Sequence, residues 1–368
     1  MAPGDSFATA LSIITNPAAL QEYIATRKIA LDNLFLAQIL PPVRSTLADI
    51  RYGYFRVVAT PAPLTAVDSP YDAVSSIQAV DFNGATFKIA GKAILSEATQ
   101  DQMHSRANDS FLNGQTSQGV FQEFIMSLIE DGVSLSLDYG EEVTRAAALA
   151  TGRLNLVQGN INVQADFGVP ADYRFDRSTT VKGGYAGASS TFWADVFAAR
   201  DKLFVEPEGI TDPTTANAIL NNPVNKIVVV ERTQVSPTVI KYVLGRYAQV
   251  NGANSSLLYP EARARLTLWV YGNRGDSATA PYFWPTGNLT FMRRDQRPVQ
   301  LIDGQIVRGS LGVTHIGPNT ESGLRSQRYL NVYTDEARPF QVIALGAEDI
   351  LPQIREPRNL ILVATTVV

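Results

Sequence analysis

Only two histidines, His104 and His315, stand in this chain of 368 residues, and there is no cysteine. An imidazole base needs a nucleophile to serve, and neither histidine is accompanied by a Gly-x-Ser-x-Gly elbow. His315, in Gly312-Val-Thr-His-Ile-Gly, reads as a structural histidine on a short strand. The stretch nearest to a phosphate loop runs from Gly84 to Gly91-Lys92. Its spacing is wrong, and Ala93 stands where a hydroxyl would hold magnesium. The carboxylate pairs Glu141-Glu142 and Asp335-Glu336 are adjacent in sequence, so on a helix their side chains diverge and read as solvated faces. Two distant histidines with scattered carboxylates give no metal-ligand spacing. Without cysteine there is no thiol catalysis, no disulfide and no cysteine-ligated metal. Catalytic, cofactor-binding and metal-binding residues are therefore expected to be none. A hydrolase built on His315 with Asp335 or Glu336 remains a lesser reading.

Composition narrows the classes further. Hydrophobic residues make up 45% and charged residues 18%, which describes a folded globular chain. No uninterrupted apolar run is long enough to span a membrane, and the N-terminus lacks the basic-then-apolar order of a secretory signal. A net charge of −4 with no basic stripe argues against a dedicated nucleic-acid binder, and Arg293-Arg294 is too small a basic pair to change that. Arginine replaces lysine entirely beyond Lys241, a bias that suits bidentate pairing at interfaces.

The elements that would position any function centre on residues 117–151. Val120/Phe121, Phe124/Ile125 and Leu128/Ile129 recur at a four-residue step, and Gly152 is placed as a C-terminal stop. Such a helix would run roughly 50 Å at ~1.5 Å per residue. Gly132 and Gly140 lie inside it, where a bend or a break is expected. Upstream, residues 17–25 read as a short helix with Pro17 at its first position. The apolar Leu34-Phe-Leu-Ala-Gln-Ile-Leu lacks a long partner and behaves as an arm. Asn83-Gly84 between β-compatible flanks predicts a hairpin turn. Ser96 is expected to cap a short helix. Downstream, Arg153–Val157 and Ile161–Phe167 form a second hairpin, and Phe192–Phe204 an amphipathic helix with Trp193, Val196, Phe197, Leu203 and Phe204 on one face. Residues 227–230 read as a buried strand, and Ser236-Pro237 as the start of a helix from Thr238 to Ala248. Strands follow at 266–271, 287–292, 339–345 and 359–365, the last tied into a sheet.

This order of parts resembles the lambda-type major head protein family of tailed phages, with the Hong Kong 97-type fold. The resemblance is carried by Glu142-Val-Thr-Arg-Ala-Ala-Ala-Leu-Ala-Thr-Gly, Arg153-Leu-Asn-Leu and Val163-Gln-Ala-Asp-Phe-Gly. Trp284-Pro-Thr-Gly-Asn-Leu-Thr-Phe, Tyr329-Leu-Asn-Val-Tyr-Thr-Asp and Phe340-Gln-Val-Ile-Ala-Leu add to it. The glycines at 132 and 140 and the segment 205–225 depart from the family pattern.

The resemblance implies an α+β fold with an N-terminal arm (1–48), an extended β-hairpin loop (49–95), and a peripheral domain (96–225) carrying the long spine helix. An axial domain (226–338) follows, with strands returning to the peripheral domain (339–368). It implies a major capsid protein that assembles with itself into pentamers and hexamers of an icosahedral phage head, made in the host cytoplasm and resident in the virion. Portal and scaffolding proteins, and in some members a decoration protein, would be its partners. Its contact with packaged double-stranded DNA would be weak and non-specific. Contact between subunits is assigned to Phe35, Ile39, Asn83, Gly84, Phe87, Lys88, Arg293 and Arg294. Lys88 is also the candidate donor for the Lys–Asn crosslink of some members, although no motif here matches one. Another homo-oligomeric shell or a tail-tube protein is the alternative of the same kind.

Overall fold

The computed structural model describes residues 34–46, 49–59, 75–95, 125–158, 161–178, 184–248, 259–274, 280–294, 299–300, 306–323, 325, 327–335 and 341–365, with isolated helical positions between 99 and 105. The expected helix at 17–25, His104 and residues 117–124 lie outside them.

In chain order, α1 (Phe35–Ile39) leads to β1 (Pro42–Arg44), β2 (Asp49–Ala59), β3 (Ser75–Ala85) and β4 (Phe87–Leu95). Helical residues from Ile125 pass through a π-helical stretch, Leu128–Ser134, into α2 (Leu135–Thr151). Then come β5 (Arg153–Gln158), β6 (Ile161–Asp166), β7 (Arg174–Arg177), α3 (Phe192–Leu203), β8 (Glu208–Thr211) and α4 (Pro213–Asn221). The rest is strand: β9 (Ile227–Ser236), β10 (Val239–Ala248), β11 (Tyr259–Tyr271), β12 (Asn288–Met292), β13 (Val299–Gln300) and β14 (Ile306–Val307), then β15 (Gly312–Gly317), β16 (Tyr329–Asp335), β17 (Gln341–Ile354) and β18 (Leu360–Thr365).

Two large sheets share the long helix. In the first, β17 pairs with β15, β16 and β4, and β1 joins β15 in parallel. The second runs β7-β18-β12-β8-β11-β10-β9. Strands β15 and β16 therefore sit in the sheet that carries the helix, while the last strand, β18, lies in the other. The early half of the helix packs Ile125, Ile129, Val133 and Leu137 on Val342 and Ala344 of β17 and Leu330 and Val332 of β16. Its later half, Ala146 to Ala150, enters a core formed with α1, Trp284 and Ile354. Helices α3 and α4 cover one face of the seven-stranded sheet against Leu266, Leu268 and Val270.

The interior glycines do not break the helix. Thr144 Oγ1 donates to the Gly140 carbonyl oxygen at 2.7 Å inside regular α-helix, and Gly132 lies in the π-helical stretch. Both are sites of close approach. A Cβ on Gly132 would stand 2.9 Å from Cβ of Ala93, and one on Gly140 would stand 3.5 Å from Cδ1 of Ile89. The sheet answers with Gly91 and Gly346, register partners on β4 and β17, which make a flat seat for Val133 and Ser136. The departure from regular α-helix is the π-helical turn, a local widening of the hydrogen-bond pattern. The predicted stop holds: Gly152 is left-handed at φ +63°, and its N–H donates to the Ala148 carbonyl oxygen at 2.9 Å.

Three other expectations change. Asn83-Gly84 is not a turn, because both residues lie inside β3, paired with Arg51 and Ile50 of β2. The extended hairpin is β2–β3, and β4 leaves it to pair with β17. The helix expected at 238–248 is strand β10, in a hairpin with β9 around Pro237-Thr238. The β-branched and aromatic run Val239-Ile-Lys-Tyr-Val, which suits a strand, outweighs the serine-proline start signal. Strand β9 is exposed along most of its length, because it is the edge of the sheet. The hairpin β5–β6 and helix α3 form as predicted, except that Phe204 falls outside α3 and is exposed.

Candidate functional site

The polar centre of the molecule is a buried charge cluster on the helix face between the two sheets. Asp138, Glu141, Glu142 and Arg145 recur at three- and four-residue steps, so one face of α2 presents all four. Arg145 bonds Glu141 and Glu142 on its own helix, and its Nε donates to Thr314 Oγ1 of β15 at 3.0 Å. Arg328, just before β16, reaches Asp138 Oδ1 and Glu141 Oε1 at 2.8 Å, Glu348 of β17 and the Ser134 carbonyl oxygen. Glu142 Oε2 accepts from Tyr271 Oη at 2.6 Å and from the Leu36 N–H at 3.2 Å. One helix face thereby joins α1, both sheets and the segment entering β16.

Burial sets the electrostatics. Two guanidiniums face four carboxylates away from water. Burial, reinforced by Glu141, pushes the Glu348 carboxyl up to about 8 despite Arg328. Burial also raises Glu142, against the pull of Arg145 and its hydrogen bonds. For Arg328 burial acts downward, yet Glu348, Asp138 and Glu141 hold it well above the ordinary arginine value. The cluster holds no nucleophile or unpaired base. Its chemistry is cohesion.

The expected contact residues fall in several places. Phe35 and Ile39 are buried in the chain's own core, Phe35 with its ring 4.9 Å from that of Trp269. Residues 34–44, read as arm, are integral to the body, and in this conformation Phe35 and Ile39 offer no surface to a neighbour. Asn83 and Gly84 lie in the extended hairpin, Phe87 is buried where β4 begins, and Lys88 pairs with Glu321. Arg293 is exposed, with Nη1 donating to the Leu203 carbonyl oxygen at 3.3 Å. Arg294 lies over the rings of Trp269 and Phe35, 3.1 Å from Glu208 Oε2. That oxygen also accepts the Trp269 indole N–H at 2.8 Å, and Arg294 Nε meets it as an ion pair without hydrogen-bond geometry.

His315 Nε2 pairs with Gln353 on β17, and burial lowers its pKa, which favours the neutral ring. It stands opposite Leu351, whereas Asp335 stands opposite Gln341, ten register positions along the same strand. That separation is about 33 Å at ~3.3 Å per residue. The histidine–Asp335 hydrolase is not assembled, and Glu336 lies outside the described residues.

Glu141 and Glu142, expected as a solvated pair, are both buried. The missed signal was the i, i+3 and i, i+4 spacing to Arg145 on a face that also carries apolar residues. The motif residues behave as structural stops. Trp284 Nε1 donates to the Asn288 carbonyl oxygen at 2.9 Å, and the Gly287 N–H donates to Thr215 Oγ1 at 2.9 Å. Asp166 pairs with Arg153 across β5–β6 and accepts the Gly168 N–H, closing the hairpin beside Gly152.

No family model matches the chain, and no curated protein matches it. Among solved structures, it is similar to a prophage protein of E. coli CFT073 assigned as a capsid protein. The identity is 11%, 94% of this chain and 98% of that chain are covered, and the TM-score is 0.54. A phage-related protein of Bordetella bronchiseptica RB50 matches at 9% identity over 92% and 94% of the two chains, with a TM-score of 0.47. The chain has the α+β Hong Kong 97-type capsid fold, carried on the first of these over nearly its whole length.

Proposed function

We propose that this chain is the major capsid protein of a tailed double-stranded DNA phage, assembling as pentamers and hexamers into the icosahedral head. The observation that carries the reading is whole-length likeness to a prophage capsid protein, 94% of one chain against 98% of the other. The architecture fits this role. An 11-residue, two-stranded hairpin pairs within the chain only with itself among the described residues, and a ribbon of that kind needs a neighbour's surface. The charge cluster fixes the spine helix between both sheets, so each subunit can pass load as one body.

The subunit acts by packing rather than chemistry, and its mild acidity suits a wall that encloses DNA without gripping it. Assembly in the host cytoplasm, residence in the virion, and portal, scaffolding and decoration partners belong to the same proposal. So does the division into arm, hairpin, peripheral and axial parts, with β15 and β16 now grouped with the spine helix. Electron microscopy of the purified full-length chain tests it: closed shells or five- and six-membered rings are expected, and particles of single-chain size would overturn it.

A further inference from the structure

Where the spine helix crosses β4 and β17, Gly91 and Gly346 offer it no side chains to interlock with. A Cβ at 346 would overlap Val133 Cγ1 and stand 3.0 Å from Leu137 Cδ1, and one at 91 would stand 3.4 Å from Ser136 Oγ. The crossing lies where the π-helical stretch passes into regular α-helix. Beside this smooth contact the fastening is polar. Arg328, entering β16, and Glu348, on β17, meet Asp138 and Glu141 of the helix.

That fastening is short of hydrogens. Arg328 Nη2 stands 2.8 Å from Asp138 Oδ1, 2.8 Å from Glu141 Oε1 and 2.9 Å from Glu348 Oε2. A guanidinium amino group carries two hydrogens, so it cannot serve three oxygens at once. Glu348 is also hydrogen-bonded to Glu141. Ionised carboxylates only accept, so this bond exists only while one of the two carries a proton. Charge leads to the same place. With Glu142 and Arg145 included, four carboxyl groups face two guanidiniums, and full ionisation would leave two negative charges uncompensated in the core. Burial puts the proton on Glu348, whose carboxyl is pushed up to about 8.

Among the described residues no further cation faces the pair. Lys88 and Lys92 alternate onto the side of β4 away from Gly91 and the helix, and Lys88 is paired with Glu321. Asp349 and His315 lie on that same outer side of the sheet, and the inner positions of β16 are Leu330 and Val332. Tyr271 of β11 serves Glu142, while Glu130 and Asp131 of the π-helical stretch are exposed.

We propose that Glu348 and Glu141 form a proton-operated clasp between β17 and the spine helix, closed while they share a proton and opened by releasing it to water. The first half of the helix is thereby held on its glycine seat more firmly in acid than in alkali. Once open, Glu348 is solvated and loses its proton above about 4.5. Between there and about 8 each pH unit eases opening by up to about tenfold, and above about 8 the closed clasp is itself ionised and the effect levels off.

Hydrogen exchange read by mass spectrometry tests this on the full-length chain at pH 5 to 9, corrected for the intrinsic rate. Glu348→Gln supplies an amide donor to Glu141 that does not titrate. Between pH 5 and 8, peptides within 125–141, 329–333 and 341–349 should gain about tenfold or more in opening in the wild type over Glu348→Gln. Peptides within 142–151 and 360–365 should show no such difference. Glu141→Gln, which removes the shared proton from the other side, should shrink the effect in the same peptides. Equal pH dependence in wild type and variants, or a difference spread over the whole chain, would overturn the proposal. Infrared spectra read the proton itself. The C=O band of a protonated carboxyl should persist in the wild type at pH 7, fade around pH 8 and be weaker in Glu348→Gln. Its absence from the wild type at pH 7 would overturn the clasp even if neither variant folded.

Discussion

Arg328 Nε donates to Glu348 Oε2 at 3.0 Å, and through Nη2 the same guanidinium also holds Asp138 and Glu141 of the spine helix. Three carboxyl groups from two elements share one cation out of water, and at neutral pH Asp138 and Glu141 supply the opposing charge while Glu348 keeps its proton. Arg328→Met is expected to destabilise the fold by about 3–5 kcal/mol, because it strands buried charge rather than merely deleting a contact. Arg328→Lys should recover part of this, since a point charge cannot span the three partners. Urea unfolding at neutral pH measures both, and a loss below about 1 kcal/mol for Arg328→Met would contradict the arrangement.

The raised Glu348 carboxyl makes stability depend on pH with an unusual sign. Below about 4.5 the group is protonated both folded and unfolded. Between there and about 8 the folded chain keeps a proton that the unfolded chain has lost. Folding therefore takes up a proton in this window, and stability falls as pH rises through it, by at most ~1.4 kcal/mol per unit for one group. Glu348→Gln holds the site neutral and should flatten that slope. Denaturant midpoints at pH 5, 6, 7 and 8 in both proteins decide it, and an unchanged slope in the variant would count against Glu348 as its source.

Gly152 and Gly168 are both left-handed, at φ +63° and +72°, but only Gly152 is crowded. A Cβ at 152 would meet Val169 Cγ2 at 2.7 Å and Leu362 Cδ1 at 2.8 Å, whereas nothing lies within 4 Å at 168. Gly168→Ala should cost only the backbone term of ~1–2 kcal/mol. Gly152→Ala should cost clearly more. Equal losses in chemical denaturation would show that the packing around the helix stop is looser than described.

Gly132 and Gly140 should respond in opposite directions to alanine. At 140 the added methyl meets Ile89 at 3.5 Å, an ordinary contact, so helix propensity should win and stabilise by about 0.5–1 kcal/mol. At 132 it meets Ala93 Cβ at 2.9 Å on the paired strand β4, and the variant should lose stability. Thermal melts of the two single variants make the comparison.

What could be read from the sequence was whatever is governed by near neighbours. The Gly152 stop and the β5–β6 alternation are local signals, and each produced its element; the four-residue apolar step did so from Ile125 onward, its earlier part lying outside the described residues. Asn83-Gly84 misled because its turn preference is weak against eleven register pairs between β2 and β3. Ser236-Pro237 misled because a helix start and a hairpin turn use the same residue types. The charge cluster was invisible for a different reason. Arg328 and Thr314 join Glu141 and Arg145 from 187 and 169 residues away, and no spacing rule reaches that far. Phe204 was placed on the buried face of its helix because the helical period was carried one residue beyond the αL cap.

The central claim is that this chain builds closed shells from copies of itself. Cryo-electron microscopy of the purified full-length protein tests it most directly. Closed particles with five- and six-fold rings, in which the β2–β3 hairpin lies on an adjacent copy, are the predicted result. A population that stays at the 40.0 kDa mass of one chain under every assembly condition would contradict it.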